Sequence, residues 1–428
     1  MPDAGVDIIQ TTVQILLNRV TNGKNHANKL PPSIHTVPSM FRDQSPISFN
    51  PRVVSIGPLH KEDKKLQEFE VHKESSVHNL LRRLDSSPEK TLQSCVQKVN
   101  DSIDQIRGCY AGMKAYNDVE LSNMMVMDGC FILEFIYNFS YDMPIVTNML
   151  FQQAVIYDLV LLENQIPFFV LNDIYQCTIW KSECDQDPLP LSEFIFPFLK
   201  FLHLFKEDLD IKNIDTNTTD DHILGLLHKC YWPRCIIVAS DSYSSPTHSA
   251  VDLDRAGVNF KPNKYTKWSM AMRVKLHRFR FWAKPTLSMP VLHIHDYTEL
   301  ILRNLMAYEH STLGINFVTS YVIAMDMLLD TEEDISTLVK SKVLVNNLGS
   351  NVEAADMMNS LCKEVAWVHF FYSKEWRMLD NYCRAYWPKN VARLRTTYFN
   401  SPWNIIALVA GIVLFGLAVV QTIYATNE

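Results

Sequence analysis

Three carboxylates stand inside apolar runs, where a charged side chain is costly to bury. Asp128 lies in MMVMDGCFIL, Glu134 in FILEFI and Glu163 in LLENQIP. Burial can tune a carboxyl group for acid or base work, and glycoside hydrolysis needs a pair of such groups. A membrane-associated hydrolase that uses Asp128 and Glu163 is therefore one hypothesis. We favour a structural role, because Gly129 and Pro167 place helix breakers beside two of the acids, where free backbone groups need partners.

Glu163, Asn164 and Gln165 follow one another in the middle of the apolar stretch DLVLLENQIPFFVL. Pro167 lacks an amide proton and disfavours helix at Ile166, which predicts that one helix ends around Glu163 to Gln165 and another starts at the proline. The triplet then forms a polar hinge that satisfies exposed backbone groups. The predicted structural motif comprises Asp128, Gly129, Glu163, Asn164, Gln165 and Pro167.

Known catalytic and metal-binding patterns are missing from the sequence. There is no nucleophile elbow, phosphate-binding loop, Rossmann glycine pattern or zinc-protease spacing. His228, Cys230 and Cys235 are close in sequence, but their spacing matches no common zinc framework. His293 and His295 lack a third ligand nearby. We therefore predict no catalytic residue, no metal site and no cofactor, and expect a protein that is not an enzyme.

A basic stretch between residues 261 and 284 contains no acid, although the whole chain carries a net charge of −7. Such a patch could contact anionic lipid headgroups, at about 1 kcal/mol for each basic residue near the surface. It could equally bind an acidic loop or an acidic protein partner, or be a solvated strand face without a partner. Its members are Lys261, Lys264, Lys267, Arg273, Lys275, Arg278, Arg280 and Lys284.

Composition indicates which elements position these residues. The chain has 428 residues, of which 47% are hydrophobic and only 12 are glycine, and this favours a mainly α fold with a sizeable core. The alternation in MRVKLHRFRFW (272–282) and the β-branched MPVLHIHDY (289–297) predict a small antiparallel β element. The acidic net charge argues against a nucleic-acid partner.

The sequence also suggests how the chain is divided. Nine cysteines without regular spacing are typical of reduced thiols in the cytosol. We predict a flexible N-terminal arm at 1–33, a single large helical domain at 34–400, a transmembrane helix at 403–425 and a short tail at 426–428. An acidic loop at 206–221 and a second loop at 239–250 lie inside the large domain.

The C-terminal segment 405–420 is sixteen apolar residues without interruption. With its flanks it has the roughly 20 residues of helix that cross a bilayer core. Trp403 and Tyr424 bracket it as interfacial anchors, and Lys389, Arg393 and Arg395 precede it. We expect a single-pass tail anchor with the bulk of the chain in the cytosol, either at the plasma membrane or at an endomembrane. The alternative is a buried core helix.

Several short motifs occur in a fixed order from Val37 to the end of the chain. Together they resemble the plant family called domain of unknown function two-four-seven. The motifs are VPSMFR (37–42), PRVVSIGPLHK (51–61), EFEVHK (68–73), CYAG (109–112), MDGCFILEFI (127–136), DLVLLENQIPFFVL (158–171), SAVDLDRAGVNF (249–260), the segments 289–309 and 318–350, and the terminal PWNIIA with its hydrophobic span.

The resemblance implies single-pass plant membrane proteins without an established biochemical activity. Certain grass members resemble the pollen-side determinants of self-incompatibility, which act in recognition. The very basic 261–284 stretch departs from the usual family pattern. We expect a non-enzymatic, tail-anchored membrane protein that serves as a protein-recognition or signalling module, with self-incompatibility as a candidate setting and an unknown protein partner. Anionic-lipid binding is an alternative.

Overall fold

The computed structural model is mainly helical, as the composition predicts. It describes residues 10–17, 32–140, 149–179, 189–206, 209, 222–233, 248–264, 268–276, 284–311, 316–365, 369–384 and 402–426. The N-terminal arm, the acidic loop and most of the 239–250 loop fall largely or wholly outside these ranges, so their predicted character stays a prediction.

The chain forms two compact units. The first unit comprises Met1–His203, Leu209–Cys230 and Leu300–Ile315. The second unit comprises Leu204–Asp208, Tyr231–Glu299 and Asn316–Glu428. Each unit draws on segments that are far apart in sequence, which local sequence patterns do not reveal.

The helices that lie wholly within the described part of the first unit are given first. They are α1 (Ser39–Gln44), α2 (Glu70–Arg83), α3 (Pro88–Asp101), α4 (Ile103–Gly108), α5 (Asp118–Ser140), α6 (Met149–Asp158), α7 (Phe168–Cys177), α8 (Leu191–Phe201) and α9 (Ile223–Cys230), with short 3-10 turns at Pro46–Ser48 and Gln67–Phe69. Residues 10–17 are also helical.

The central helix of the first unit is α5. It starts with a capping box, in which the Glu120 amide donates to Asn117 Oδ1 at 2.8 Å and the Asn117 amide donates to Glu120 Oε2 at 3.1 Å. Nearly every residue from Leu121 to Ile136 is buried, and α2, α3, α4, α7 and α8 pack around it. A helix that is apolar on all sides is expected in the middle of a unit.

The prediction that Asp128 and Gly129 stand beside a helix break is wrong. The helix α5 continues through both residues without interruption. Gly129 instead permits a close approach of α7, since a Cβ there would lie 2.3 Å from Ile174 Cδ1. A glycine in a helical sequence can indicate either the end of the helix or a close contact with another helix. The sequence alone does not distinguish these two cases.

The hinge before Pro167 is longer than predicted. The helix α6 ends at Asp158, five residues before Glu163, and α7 begins at Phe168 with Pro167 as its N-cap residue. Residues 159–166 are therefore non-helical, although all eight are buried and five of them are apolar. A buried segment of this kind must satisfy its backbone groups with side chains.

The second unit contains the other described helices, apart from most of α11, and the five strands found among the described residues. The helices are α10 (Ala250–Arg255), α11 (Thr298–Ser311, of which all but Thr298 and Glu299 belongs to the first unit), α12 (Phe317–Leu328), α13 (Glu332–Lys340), α14 (Asn351–Leu361), α15 (Ser373–Arg384) and α16 (Pro402–Thr426). The strands are β1 (Asn259–Pro262), β2 (Arg273–Lys275), β3 (Thr286–Met289), β4 (Leu292–Ile294) and β5 (Leu344–Asn346).

The small antiparallel β element is only partly confirmed. The first sheet has the order β1-β3-β2, in which β2 and β3 are antiparallel but β1 and β3 are parallel. The second sheet pairs β4 with β5 in parallel, and β5 was not predicted. Alternation along a segment indicates a strand but carries no information about a partner that follows some 50 residues later.

The helix α16 covers the predicted span 403–425. Among the residues that the structure describes, no helix is both long and apolar enough to cross a membrane. The predicted tail anchor stays a prediction. Trp403 and Tyr424 lie in this helix, but their side chains fall outside the described residues.

Candidate functional site

Two groups of charged and polar side chains are candidates for function. We call the first the polar cluster, which lies in the first unit, and the second the basic face, which lies in the second unit. The polar cluster consists of Lys73, Asp128, Asp158, Glu163, Asn164 and Gln165. The basic face consists of Asn259, Lys261, Arg273, Lys275, Thr286 and Ser288.

The polar cluster surrounds residues 52–57, which run through the first unit outside any sheet. Asp158 accepts hydrogen bonds from three consecutive backbone amides of this segment, those of Arg52 at 2.8 Å, Val53 at 2.8 Å and Val54 at 3.0 Å. Burial raises the pKa of Asp158 to about 6, and the three amides act against this rise. The sequence prediction did not include Asp158, although it opens the quoted stretch.

Asn164 continues the contact with the same segment. Its Oδ1 accepts from the Ile56 amide at 2.7 Å, and its Nδ2 donates to the carbonyls of Val54 at 3.0 Å and Asp158 at 2.9 Å. One buried side chain therefore replaces the strand partner that residues 54–56 would have in a sheet. Asn164 thus joins residues 54–56 to the end of α6 through hydrogen bonds to the backbone.

Gln165 satisfies the non-helical residues that follow α6. Its Nε2 donates to the carbonyls of Leu159 at 2.8 Å and Leu161 at 2.9 Å. Its Oε1 accepts from the Leu224 amide at the start of α9, at 3.3 Å. Gln165 is thus the hydrogen-bond partner of backbone groups that the end of α6 leaves free.

Asp128 closes the other end of the segment. Its Oδ2 accepts from the Gly57 amide at 2.8 Å, and its Oδ1 pairs with Lys73 Nζ at 2.6 Å. Lys73 is fully buried and also binds the Ser55 carbonyl and Glu70, the latter at 2.8 Å. Burial lowers the pKa of Lys73, but the charges of Asp128 and Glu70 outweigh burial and raise it. Lys73 is therefore a buried cation, and apart from its place in EFEVHK no sequence pattern marks it.

Gly57 is the one position in this segment that requires glycine. Its φ is +71°, and a Cβ there would lie 2.5 Å from the Gln165 carbonyl oxygen. The Tyr110 hydroxyl donates to the same carbonyl at 3.0 Å. Both the backbone conformation and the space exclude a side chain at Gly57.

Glu163 holds a different part of the chain. It accepts from the Val37 amide and pairs with the Arg42 guanidinium, while His60 Nε2 lies 2.8 Å from its Oε2. Burial raises the pKa of Glu163, but the hydrogen bonds of His60, Arg42 and Val37 outweigh burial and lower it. Glu163 is therefore an ionised group with both oxygens occupied.

Glu134 is occupied in the same way. It pairs with Arg83, and Asn138 Nδ2 donates to it at 3.0 Å. The Arg83 guanidinium also lies over the Tyr137 ring, 3.8 Å from its centroid. The three carboxylates that the sequence placed in apolar runs all have cationic partners.

The hydrolase hypothesis has no support in this geometry. Asp128 is 1% exposed and Glu163 is 3% exposed, and their oxygens are bound by backbone amides and cations. A general acid or nucleophile must reach the atom on which it acts. Asp128 and Glu163 instead each bind a backbone amide and a cationic side chain inside the first unit.

The basic face is arranged differently. Lys261 and Arg273 lie on either side of Ser288, and Asn259 and Lys275 lie on either side of Thr286, so that the six residues form two rows on one face of the first sheet. Lys261, Arg273 and Lys275 are exposed. The opposite face carries the apolar side chains of Phe260, Val274, Leu287 and Met289.

The structure thus places three of the eight predicted basic residues together. Lys264 and Lys284 are exposed just outside the strands, whereas Lys267, Arg278 and Arg280 lie outside the described residues. The sequence identified the charge, but the pairing of β1 and β2 on either side of β3 decides which cations are neighbours. Asn259, Thr286 and Ser288 were not predicted and have no sequence signal of their own.

The candidate metal ligands His228 and Cys230 form contacts with other protein groups. His228 Nε2 lies 2.8 Å from Glu309 Oε1 in the buried part of the first unit, and Cys230 Sγ donates to the Leu226 carbonyl at 3.2 Å. Cys235 lies outside the described residues. Within the described part of the chain, no group of three His, Cys, Asp or Glu residues could hold a metal ion.

A cavity of about 620 Å³ lies in the second unit between the turn that follows β4 and the helix α14. Its lining includes His295, Asp296, Glu299, Glu353 and Asp356. The four acids make it unsuitable for an anion.

Comparisons with known proteins place the chain among plant proteins. The family model DUF247, described as "Plant protein of unknown function", matches residues 34–417. UPF0481 protein At3g47200 of Arabidopsis thaliana is 28% identical over 426 residues, which cover 92% of this chain and 86% of the relative. UPF0481 protein At3g02645 of the same plant is 24% identical over 481 residues, covering 91% and 89%. No solved structure matches the chain.

Proposed function

The chain belongs to this plant family of unknown function, and from that premise we propose that it is a recognition module whose basic face binds an acidic segment of a protein partner. The observation that carries the proposal is the placement of Lys261, Arg273 and Lys275 on one exposed sheet face. The names of the family and of its relatives indicate no catalytic activity. The sealed carboxylates favour recognition over hydrolysis.

The sign of the charge supports an acidic partner. The chain carries a net charge of −7, so its overall field repels anions. A local group of cations reverses that field over a small area, which guides an acidic partner to one face and disfavours other orientations. The apolar opposite face is covered by the unit itself, so the cations alone are presented outward.

The neutral residues between the cations favour a protein over a lipid surface. Ser288 lies between Lys261 and Arg273, and Thr286 and Asn259 lie in one row with Lys275, so that hydrogen-bonding groups stand beside the cations at fixed positions. Lipid headgroups respond mainly to the number of nearby cations. Hydrogen-bonding side chains at fixed positions on a sheet match a protein segment, whose own polar groups are also at fixed positions.

We also propose that residues 403–425 anchor the chain in a membrane, with the bulk of the chain in the cytosol. The support is the uninterrupted apolar run in the sequence and the exposure of large apolar side chains along α16, such as Phe415 at 73% and Leu414 at 66%. An apolar helix that is exposed in an isolated chain needs an apolar environment. Self-incompatibility recognition is a setting in which such a module would act, and it rests on the family resemblance alone.

Charge reversal tests the recognition proposal. The full chain, purified in detergent, is titrated with an acidic peptide and with a neutral peptide of the same length. We expect Lys261→Glu with Lys275→Glu to weaken binding of the acidic peptide by at least about tenfold. The matched control reverses Lys340 and Lys363, two exposed lysines of the same unit. Equal losses in both double variants would contradict a specific basic face.

The membrane proposal has a separate test. Leu414→Arg with Phe415→Arg places two charges in the middle of α16, and each costs roughly 3 kcal/mol at the centre of a bilayer. We expect this variant to move from the carbonate-resistant membrane fraction to the soluble fraction. Thr422→Arg, near the end of the helix, is the control and should remain in the membrane fraction. A double variant that stays with the membrane would contradict the anchor.

A further inference from the structure

The two rows of the basic face differ in their number of cations. In the first row Lys261 and Arg273 flank the Ser288 hydroxyl, whereas the second row has only Lys275, with Thr286 and Asn259. Neighbouring strands lie about 4.8 Å apart, so the backbones of Lys261 and Arg273 are roughly 10 Å apart with Ser288 midway. Long cationic side chains on both sides can therefore reach a group that sits over Ser288.

The donors of the first row are suited to a phosphate monoester. Within the described part of the chain, Lys261 forms no ion pair and the Ser288 hydroxyl no hydrogen bond. An ammonium, a hydroxyl and a guanidinium can each donate to one of the three terminal oxygens of a phosphate. A carboxylate offers only two oxygens and a single charge, against about −1.5 to −2 for a phosphate monoester near neutral pH.

From this arrangement we propose that the Lys261–Ser288–Arg273 row binds a phosphorylated serine or threonine in the acidic segment of the partner. The inference rests on the proposed recognition function and specifies its ligand. The second row then lies where the neighbouring residues of the bound segment pass, and its Asn259, Thr286 and Lys275 can hydrogen-bond to them.

The carboxylate of Glu375 interacts electrostatically with Arg273 of this row. Glu375 of α15 is half-buried, and burial raises its pKa while the charges of Lys374 and Arg273 lower it. The carboxylate of Glu375 thus competes with a ligand for Arg273. A phosphate with its larger charge can displace a carboxylate from a guanidinium, and removal of Glu375 should favour the phosphate further.

The test compares two peptides that differ in one phosphate. The full chain is titrated by calorimetry with a short acidic peptide and with the same peptide carrying one phosphoserine. We expect phosphorylation to tighten binding at least about tenfold, the effect of one or two charge-assisted hydrogen bonds. Ser288→Ala should remove a large part of this gain, and Ser288→Thr, which keeps the hydroxyl, should retain it.

Thr286→Ala is the matched control, because Thr286 lies on the same strand and the same face but in the row with one cation. Because Thr286 lies on the face that binds both peptides, Thr286→Ala should weaken both to a similar extent, so that the gain from phosphorylation stays within about twofold of that of the unchanged protein. Glu375→Gln should increase the gain. Equal losses in the Ser288 and Thr286 variants would overturn the choice of row.

The remaining outcomes separate this inference from the recognition proposal. Equal binding of both peptides would overturn the phosphate inference and leave recognition of acidic segments standing. Failure of the unchanged protein to bind either peptide would overturn both. Vesicles that contain a phosphoinositide and bind more tightly than the phosphopeptide, with the same loss in Ser288→Ala, would assign the row to a lipid headgroup and overturn a protein ligand.

Discussion

The polar cluster of the first unit and the basic face of the second unit use charged side chains in opposite ways. In the polar cluster, Lys73 and Asp128 are buried and bound to each other and to the backbone. On the basic face, Lys261 and Lys275 are exposed. A buried charge is costly unless it is fully paired, so the charged groups of the polar cluster bind each other and the backbone. Their role is structural. Charges exposed on one side remain available to a partner.

The comparison also separates two kinds of extended segment. Residues 52–57 have side chains for hydrogen-bond partners, whereas β1, β2 and β3 have each other. A segment held by side chains loses several backbone bonds when one side chain is removed. A sheet loses no backbone hydrogen bond when one of its outward-facing side chains is changed. Substitutions in the polar cluster should therefore lower stability. Substitutions on the basic face should weaken binding and leave stability nearly unchanged.

The largest expected effect is on Lys73. Lys73→Ala leaves Asp128 buried with no cation and should lower the free energy of unfolding by about 3–5 kcal/mol. Lys98→Ala, which removes a partly exposed pair with Asp173, should cost no more than about 1 kcal/mol. Urea denaturation of both variants measures the difference. A loss in Lys73→Ala as small as that in Lys98→Ala would show that the buried pair does not hold the segment.

Asn164→Ala should come next, with a loss of about 2–4 kcal/mol. The change leaves the Ile56 amide and the Val54 and Asp158 carbonyls without their partner inside the unit. Asn359→Ala removes one hydrogen bond of an exposed side chain and is the control in the same denaturation experiment. Normal stability of Asn164→Ala combined with lost binding would mean that this residue is functional and not architectural.

A third prediction concerns pH. The pKa of Asp158 rises from 3.8 to about 6 on folding, so the folded chain holds this proton more tightly than the unfolded chain between these values. Its contribution to stability is therefore fully present below about pH 4 and is lost as pH rises to about 6. The loss is on the order of 2–3 kcal/mol, since each pH unit between the two pKa values is worth about 1.4 kcal/mol.

The measurement for Asp158 compares the unchanged protein with Asp158→Asn, which does not titrate. The stability difference between them should fall from pH 4 to pH 6 and then remain constant. The subtraction also removes the contribution of Asp326, whose pKa is raised by burial to about 6 and which titrates in the same range. A difference that grows with pH would mean that the three amides stabilise the carboxylate more than burial destabilises it.

The smallest effect on stability is expected on the basic face. Lys261→Ala should change the free energy of unfolding by less than about 0.5 kcal/mol, as is usual for an exposed side chain. The same variant should nevertheless weaken binding of the phosphopeptide severalfold. Thermal unfolding and peptide titration of one preparation measure both. A large loss of stability in Lys261→Ala would show that the basic face, like the polar cluster, has a structural role.

The sequence predicted the helical character and the polar hinge because both depend on local patterns. Composition favours helices, and Pro167 limits the backbone of its neighbours wherever it occurs. The local pattern does not predict whether the helix continues at Gly129, because a glycine occurs both at helix ends and at close helix contacts. It was also insufficient for β5, whose partner β4 lies far away in sequence.

By itself, therefore, the sequence determined the family, the mainly helical fold and the positions that had to be polar within apolar runs. Only the tertiary structure decided what these positions do, because the partners of Asp128 are Lys73 and Gly57, 55 and 71 residues earlier in the chain. It also decided that Lys261 and Arg273 stand on either side of Ser288. Charge and polarity belong to single residues, but pairing and register arise only when distant segments are brought together.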